Sequence, residues 1–368
     1  IELCRLLYQE DSIFCEDFEK KINNCTFLTD NEKIEIIKKQ KKKTEQYIFQ
    51  PLKKLEILLL SLETKENVQG LSSYTKGLEY YEYLLERATG ADMSAESMYE
   101  YLENYRVDIQ KRLEGRVGTN TNINSDLVDV ETVIEKLIDI TVKEYPEITL
   151  PKYQLIDIPE FFEEKMYDAF YLRDYRKNKN YIYTDKTLYD QSYISMYQTI
   201  AHEAFPGHMY YYNFEYTEKD TSIDTLLKCM GYNEGWAVYA EFAVAEGLGE
   251  DKEEYLFMVE QKLLDEIFLC QLDIGIHGFG WNIEDVEKYM KEIYGITNHE
   301  GAENVMNILI NNPAAYQSYV IGYFKMQELQ EEFMQINEWS KKEFLEYYLK
   351  CGQAPFKIVE EFLIEKSL

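Results

Sequence analysis

Two of the four histidines in this 368-residue chain lie six positions apart, in Thr199-Ile200-Ala201-His202-Glu203-Ala204-Phe205-Pro206-Gly207-His208, a stretch that is otherwise apolar and aromatic. Tyr193, Met196, Tyr197, Ile200 and Ala204 recur at three- and four-residue spacing, which predicts a helix carrying His202 and Glu203 against the core. That helix cannot simply continue. Six residues turn ~600°, leaving His208 about 120° from His202 around an ideal helix. Pro206 would clash with the carbonyl of His202, and Gly207 tolerates almost any backbone angle, so a break there is expected to swing His208 back.

A histidine pair with an adjacent glutamate is a candidate metal site. Zinc takes neutral imidazole and carboxylate ligands in a tetrahedral set, and a catalytic zinc leaves its fourth position to water. A glutamate beside the first ligand can take that water's proton, which is the logic of the H-E-x-x-H metallopeptidases. The competing reading is a buried, hydrogen-bonded histidine pair with no metal. A second predicted helix, Asn233-Glu234-Gly235-Trp236-Ala237-Val238-Tyr239-Ala240-Glu241, puts Glu234 and Glu241 seven residues apart and so on one side, either of them able to supply a third ligand. A solvated acidic face is the alternative in a chain with 68 acidic residues, but Trp236, Val238, Tyr239 and Phe242 leave little room for a wholly exposed helix.

His-Glu-x-x-Pro-Gly-His at 202–208 followed by Glu-Gly-Trp-Ala-x-Tyr-Ala-Glu at 234–241 resembles the bacterial family catalogued as domain of unknown function 885, zincin-like predicted peptidases. Gly70, Tyr74, Gly77, Glu79-Tyr80-Tyr81 and Leu84-Leu85 resemble its N-terminal signature. Asp273-Ile274-Gly275-Ile276-His277 with Gly280-Trp281 resembles a later one, and Pro313 to Glu328, with Gln317-Ser318-Tyr319 and Ile321-Gly322, the C-terminal one. The likeness runs over roughly residues 50 to 360 and departs from the family at Met209, Ala314 and Val320.

The resemblance implies a zinc site of His202, His208 and Glu234, with Glu241 as substitute ligand or as a hydrogen-bonding partner of one, and Glu203 as general base. It also implies that His277 sits near the metal, where it could donate to an oxyanion with Asp273, at i−4, fixing its imidazole; a structural Asp-His pair is the other reading. Tyr319 is a catalytic candidate by analogy with zincin tyrosines.

Between Pro146 and Lys186 the pattern changes. Gln154–Ile158 and Tyr181–Thr184 are predicted short strands of a small sheet beside the active-site cleft. Tyr181 and Tyr183 on such a strand could hold an extended peptide by its backbone, and Arg173 and Arg176 nearby could capture a terminal carboxylate. Elsewhere the chain reads as helices in series: Glu2 to Lys20, Thr29 into the solvated Lys38 to Lys43 cluster, Tyr47 to Glu63, Gly77 to Ala88, a helix capped at Ser94 reaching Leu113, Ser125 to Glu144 after a loop at Gly118–Asn122, Glu253 to Ile276, and Gln317 to Asn337 after a break at Asn312-Pro313. His299 reads as an exposed loop residue. The expected fold is mainly α, a large multi-helix zincin-like body with a small sheet. It is read as one body over 1–368, with an N-terminal helical half at 1–145 and a metal-site half at 146–368.

A formal net charge of −29 argues against nucleic acid and anionic membrane surfaces as partners. Six scattered cysteines, with no C-x-x-C, read as ordinary thiols. No apolar run approaches the length of a membrane helix. The chain begins at Ile1, so a trimmed amino-terminus is expected, and an extracytoplasmic or envelope location is favoured over a cytoplasmic one. The expected activity is zinc-dependent hydrolysis of short neutral or basic peptides by an oligopeptidase or carboxypeptidase. The alternative, suggested by the irregular histidine spacing and by Met209 and Val320, is a non-catalytic binding or cell-envelope protein that keeps the fold.

Overall fold

The fold, obtained as a computed structural model, is described for residues 1–9, 12–62, 69–116, 129–158, 167–190, 192–218, 228–295 and 298–368. It is mainly α, with one small three-stranded sheet. The described residues fall into two compact units, one within 1–68 and one formed by residues of 69–158 and 164–368. Among the described residues no helix is long and apolar enough to cross a membrane.

In the first unit the expected single helix from Glu2 to Lys20 is two, Glu2–Leu7 and Ile13–Asn23, because the backbone at Ser12 is extended. Asp30–Thr44 opens on a capping box, Thr29 with Glu32, and runs through a π-helical turn, Glu45–Phe49, into Gln50–Ser61. The helix read from Thr29 into the lysine cluster and the one read from Tyr47 are therefore continuous. Lys38, Lys39 and Lys41 to Lys43 are exposed, as a solvated face requires.

The second unit carries the candidate site. Its core joins side chains from most of its helices, with Trp236, Tyr197, Tyr210, Phe205 and Phe324 among the largest fully buried. Ser94 and Asp129 cap the helices Ala95–Leu113 and Val130–Glu144. The expected loop at Gly118–Asn122 and the start at Ser125 lie outside the described residues. His299 is exposed but opens the helix His299–Asn311 instead of lying in a loop.

The sheet has strands β1 (Tyr153–Asp157), β2 (Ala169–Asp174) and β3 (Lys179–Thr184) in the order β1-β3-β2; β1 is parallel and β2 antiparallel to β3. This corrects the strand reading. The Tyr181–Thr184 strand is central, its backbone paired on both sides, so it has no free edge for a peptide. The strand that the sequence reading missed, β2, is the edge strand on the cavity side.

Glycine sets how closely two of the helices approach. Met230–Ala243 crosses Gln317–Asn337 with Gly231 and Gly235 against Gly322. A Cβ on Gly235 would lie 2.2 Å from the carbonyl carbon of Gly322, and one on Gly322 would lie 1.9 Å from the oxygen of Gly231. Backbone cannot yield as a side chain can, so Gly235→Ala is expected to cost at least about 1–3 kcal/mol of unfolding free energy. A urea midpoint equal to wild type would contradict this account of the crossing.

Candidate metal centre

Ser192 caps the helix Tyr193–Glu203 by accepting from the Ser195 amide, and Ile194, Tyr197, Ile200 and Ala201 bury its inner face. The helix stops at Ala204, two residues before Pro206, which has no N–H to continue it. The chain then turns back tightly. The Gly207 amide donates to Ala201 O at 3.0 Å, and a Cβ on Gly207 would lie 1.8 Å from His202 O. A new helix, His208–Glu218, begins at once, so its first residue faces the end of the one before. Trp236 Nε1 holds the turn by donating to Pro206 O at 2.9 Å.

The break brings the imidazoles together, their centroids 4.8 Å apart and nearly perpendicular. Glu234 completes the group: its Oε2 lies 3.5 Å from His202 Nε2 and 3.4 Å from His208 Nε2. A tetrahedral zinc with ligands at about 2.0–2.1 Å spaces them roughly 3.3–3.4 Å apart, so Glu234 stands from each imidazole nitrogen at the separation of two ligands on one ion. Glu203 also brings a carboxylate oxygen within 4.8 Å of the pair. Its Oε2, however, accepts from the Tyr171 amide of β2 at 2.7 Å, leaving one oxygen for the space in front of the histidines.

Glu241, two turns beyond Glu234, takes the other side of the same ring, its Oε1 2.6 Å from His202 Nδ1. That bond leaves Nε2 as the nitrogen free to ligate. Glu241 is 1 % exposed and also accepts from Gln198 Nε2 and from Lys262 Nζ, the lysine at 3.1 and 3.0 Å. His208 Nδ1 has no partner among the described residues. Burial disfavours the His202 imidazolium, but Glu234 and Glu241 outweigh it and raise the pKa to about 10. Against the same burial penalty, the two histidines hold Glu234 far below the usual carboxylate range.

These groups open into a cavity of about 820 Å³, lined on one side by Tyr167 to Tyr171 and on another by Tyr316 and Tyr319. The Tyr319 ring stacks on that of His202 at 6.2 Å between centroids.

The other expected site residues lie apart from this group. His277 is buried elsewhere and does not line the cavity. Its Nδ1 accepts from the Leu71 amide, its Nε2 faces Leu309 O at 3.1 Å, and its ring stacks on Tyr81. Asp273 approaches His277 no closer than 3.6 Å and instead accepts from Tyr81, Ala314 and Gln317, so both residues brace helix packing, not an oxyanion. Arg173 is buried against Tyr212 O, Asn213 and Asn178, and Arg176 is exposed in the turn after β2. Neither they nor Tyr181 and Tyr183 are among the residues lining the cavity; Tyr183 reaches it only through its stacked neighbour Phe170. The sequence reading missed Gln198 and Lys262. The first was signalled by its i−4 spacing from His202, the second by nothing local.

A mostly helical body that gathers two histidines and a glutamate at the mouth of a cavity is the class defined so far. The chain belongs to the family described as "Bacterial protein of unknown function (DUF885)", whose model matches residues 127–363. The fold is shared with a putative lipoprotein from Colwellia psychrerythraea, at TM-score 0.82 and 16% identity over 100% of this chain and 68% of that one. A putative lipoprotein of unknown function from Shewanella oneidensis is also similar, at TM-score 0.61 and 20% identity over 96% and 70%. No curated protein matches the sequence.

Glu241→Ala would leave His202, Lys262 and Gln198 facing an empty buried site. The expected loss is roughly 3–5 kcal/mol of stability in metal-free protein, read from urea unfolding with chelator present. A loss below about 1 kcal/mol, the level of an exposed ion pair, would contradict the structural weight given to Glu241.

Proposed function

We propose that this protein is a zinc-dependent oligopeptidase, with zinc held by His202 Nε2, His208 Nε2 and the Glu234 carboxylate. The observation that carries this reading is the spacing of 3.4 and 3.5 Å from Glu234 Oε2 to the two imidazole nitrogens, with the opposite nitrogen of His202 already committed to Glu241. When bound, zinc would lower the pKa of a coordinated water toward ~7 and polarise a peptide carbonyl. The chain's own residues do the rest. Glu203, fixed through one oxygen by the Tyr171 amide, uses the other to accept the attacking water's proton and return it to the leaving amine. Burial pushes the Tyr319 hydroxyl well above its ordinary range, so it stays a neutral donor, placed by its ring's stacking on His202 to hydrogen-bond the developing oxyanion.

The cavity's volume favours a short, unfolded peptide over a folded protein. The β2 edge can align such a peptide by its backbone, the role assigned from sequence to Tyr181 and Tyr183. Because Arg173 and Arg176 are engaged or exposed elsewhere, nothing from them favours capture of a terminal carboxylate, and oligopeptidase action is preferred to carboxypeptidase action. The lipoprotein description of two proteins with this fold supports a cell-envelope location.

Glu203→Gln is expected to lower turnover of a mixed short-peptide library by roughly 10²–10⁴-fold while zinc stays bound, as followed by mass spectrometry. Absence of turnover by zinc-loaded wild type would favour the binding-protein alternative. On one peptide with free and amidated C-termini, equal cleavage is expected; cleavage of the free acid alone would restore the carboxypeptidase version.

A further inference from the structure

We propose that Glu266 forms a subsite for a primary ammonium group of the substrate, either a free peptide amino-terminus or a lysine side chain. This rests on the zinc-peptidase reading, since it places the ammonium in the cavity where the peptide bond would be cut. Among the described residues five carboxylates line that cavity: Asp168, Glu203, Glu234, Glu241 and Glu266. Four have donors or histidine partners. Asp168 accepts from the Thr187 hydroxyl, Glu203 from the Tyr171 amide, and Glu241 from Lys262 and Gln198, while Glu234 faces the two histidines. Glu266 has no hydrogen-bond donor among the described residues.

Among the described residues its one ion-pair partner is Lys262, one helical turn away, with Nζ 3.9 Å from Glu266 Oε1 and therefore beyond hydrogen-bond reach. That ammonium is directed at Glu241, at 3.0 and 3.1 Å. One lysine thus serves two carboxylates, and its hydrogen bonds go to Glu241. The Glu266 side chain is only 19 % exposed, so its charge is enclosed without a donor, and burial pushes its pKa up to about 7. A carboxylate so placed gains from any ligand that brings both charge and N–H groups.

A second polar side chain belongs to the cavity wall. Asn233 is 6 % exposed, lines the cavity, and its Oδ1 has no donor among the described residues. An ammonium supplies three N–H donors and the missing positive charge, whereas an anionic group would meet repulsion.

The test uses three forms of one dipeptide hydroxamate, whose zinc-binding end is common to all: the free amine, the N-acetyl derivative, and an N-acetyl derivative with lysine in the chain. Titration calorimetry of zinc-loaded wild type is expected to give at least one amine-bearing form an affinity about tenfold above the N-acetyl form, and Glu266→Gln to remove that advantage. Which form gains names the source of the ammonium. The N-acetyl form must bind both proteins alike; a difference there would mean that Glu266 shapes the cavity instead of reading charge, and would overturn the proposal. So would equal binding of all three forms to wild type, or an advantage that survives in Glu266→Gln. Failure of every form to bind wild type would overturn the zinc reading, and the subsite with it.

Discussion

The geometry of the site depends on a hydrogen bond made away from solvent, between His202 Nδ1 and the carboxylate of Glu241. An imidazole at a helix end can rotate, and its two nitrogens compete for partners. Glu241 settles both matters by taking one nitrogen and leaving the other turned toward His208 and Glu234. A carboxylate buried to this degree is stable only with compensation, which Lys262 supplies as charge and Gln198 as a further donor. Gln198 and His202 share one face of the same helix, so one turn of backbone positions both the ring and part of what holds it.

Backbone contacts carry this arrangement outward. Glu234 and Glu241 project from a helix that lies against another at Gly231, Gly235 and Gly322, so closely that a methyl group would meet backbone. The second of those helices carries Tyr319 to the His202 ring. The turn at Ala204–Gly207 delivers His208, and the edge strand β2 delivers the Tyr171 amide to Glu203. Four separate elements therefore fix the cluster, each by a contact that tolerates little change in shape.

Much of this was legible in the sequence, for physical reasons. Proline and glycine punctuate a chain locally, so Pro206-Gly207 foretold the break that returns His208, and seven-residue spacing foretold that Glu234 and Glu241 share a face. Periodic apolar residues and caps such as Ser94 located the helices Gly77–Thr89 and Ala95–Leu113 to within a turn. What failed was non-local. Strand order depends on pairing partners far along the chain, which is why β3 was taken for the strand at the cleft and β2 was overlooked. His277 and Asp273 have the spacing of a functional pair, but packing against Leu71, Leu309 and Tyr81 takes them elsewhere. Arg173 looked available beside the sheet, and only the fold shows its guanidinium engaged by Asn213, Asn178 and the Tyr212 carbonyl.

The central claim is that His202, His208 and Glu234 bind one zinc ion. It is tested most directly by measuring metal per chain by plasma emission, after purification without chelators, in wild type and in His208→Ala. The account predicts about one zinc per wild-type chain and little in the variant, as expected when one of three protein ligands is removed. Wild type that carries no zinc, and whose melting temperature does not move when zinc is added, would contradict it.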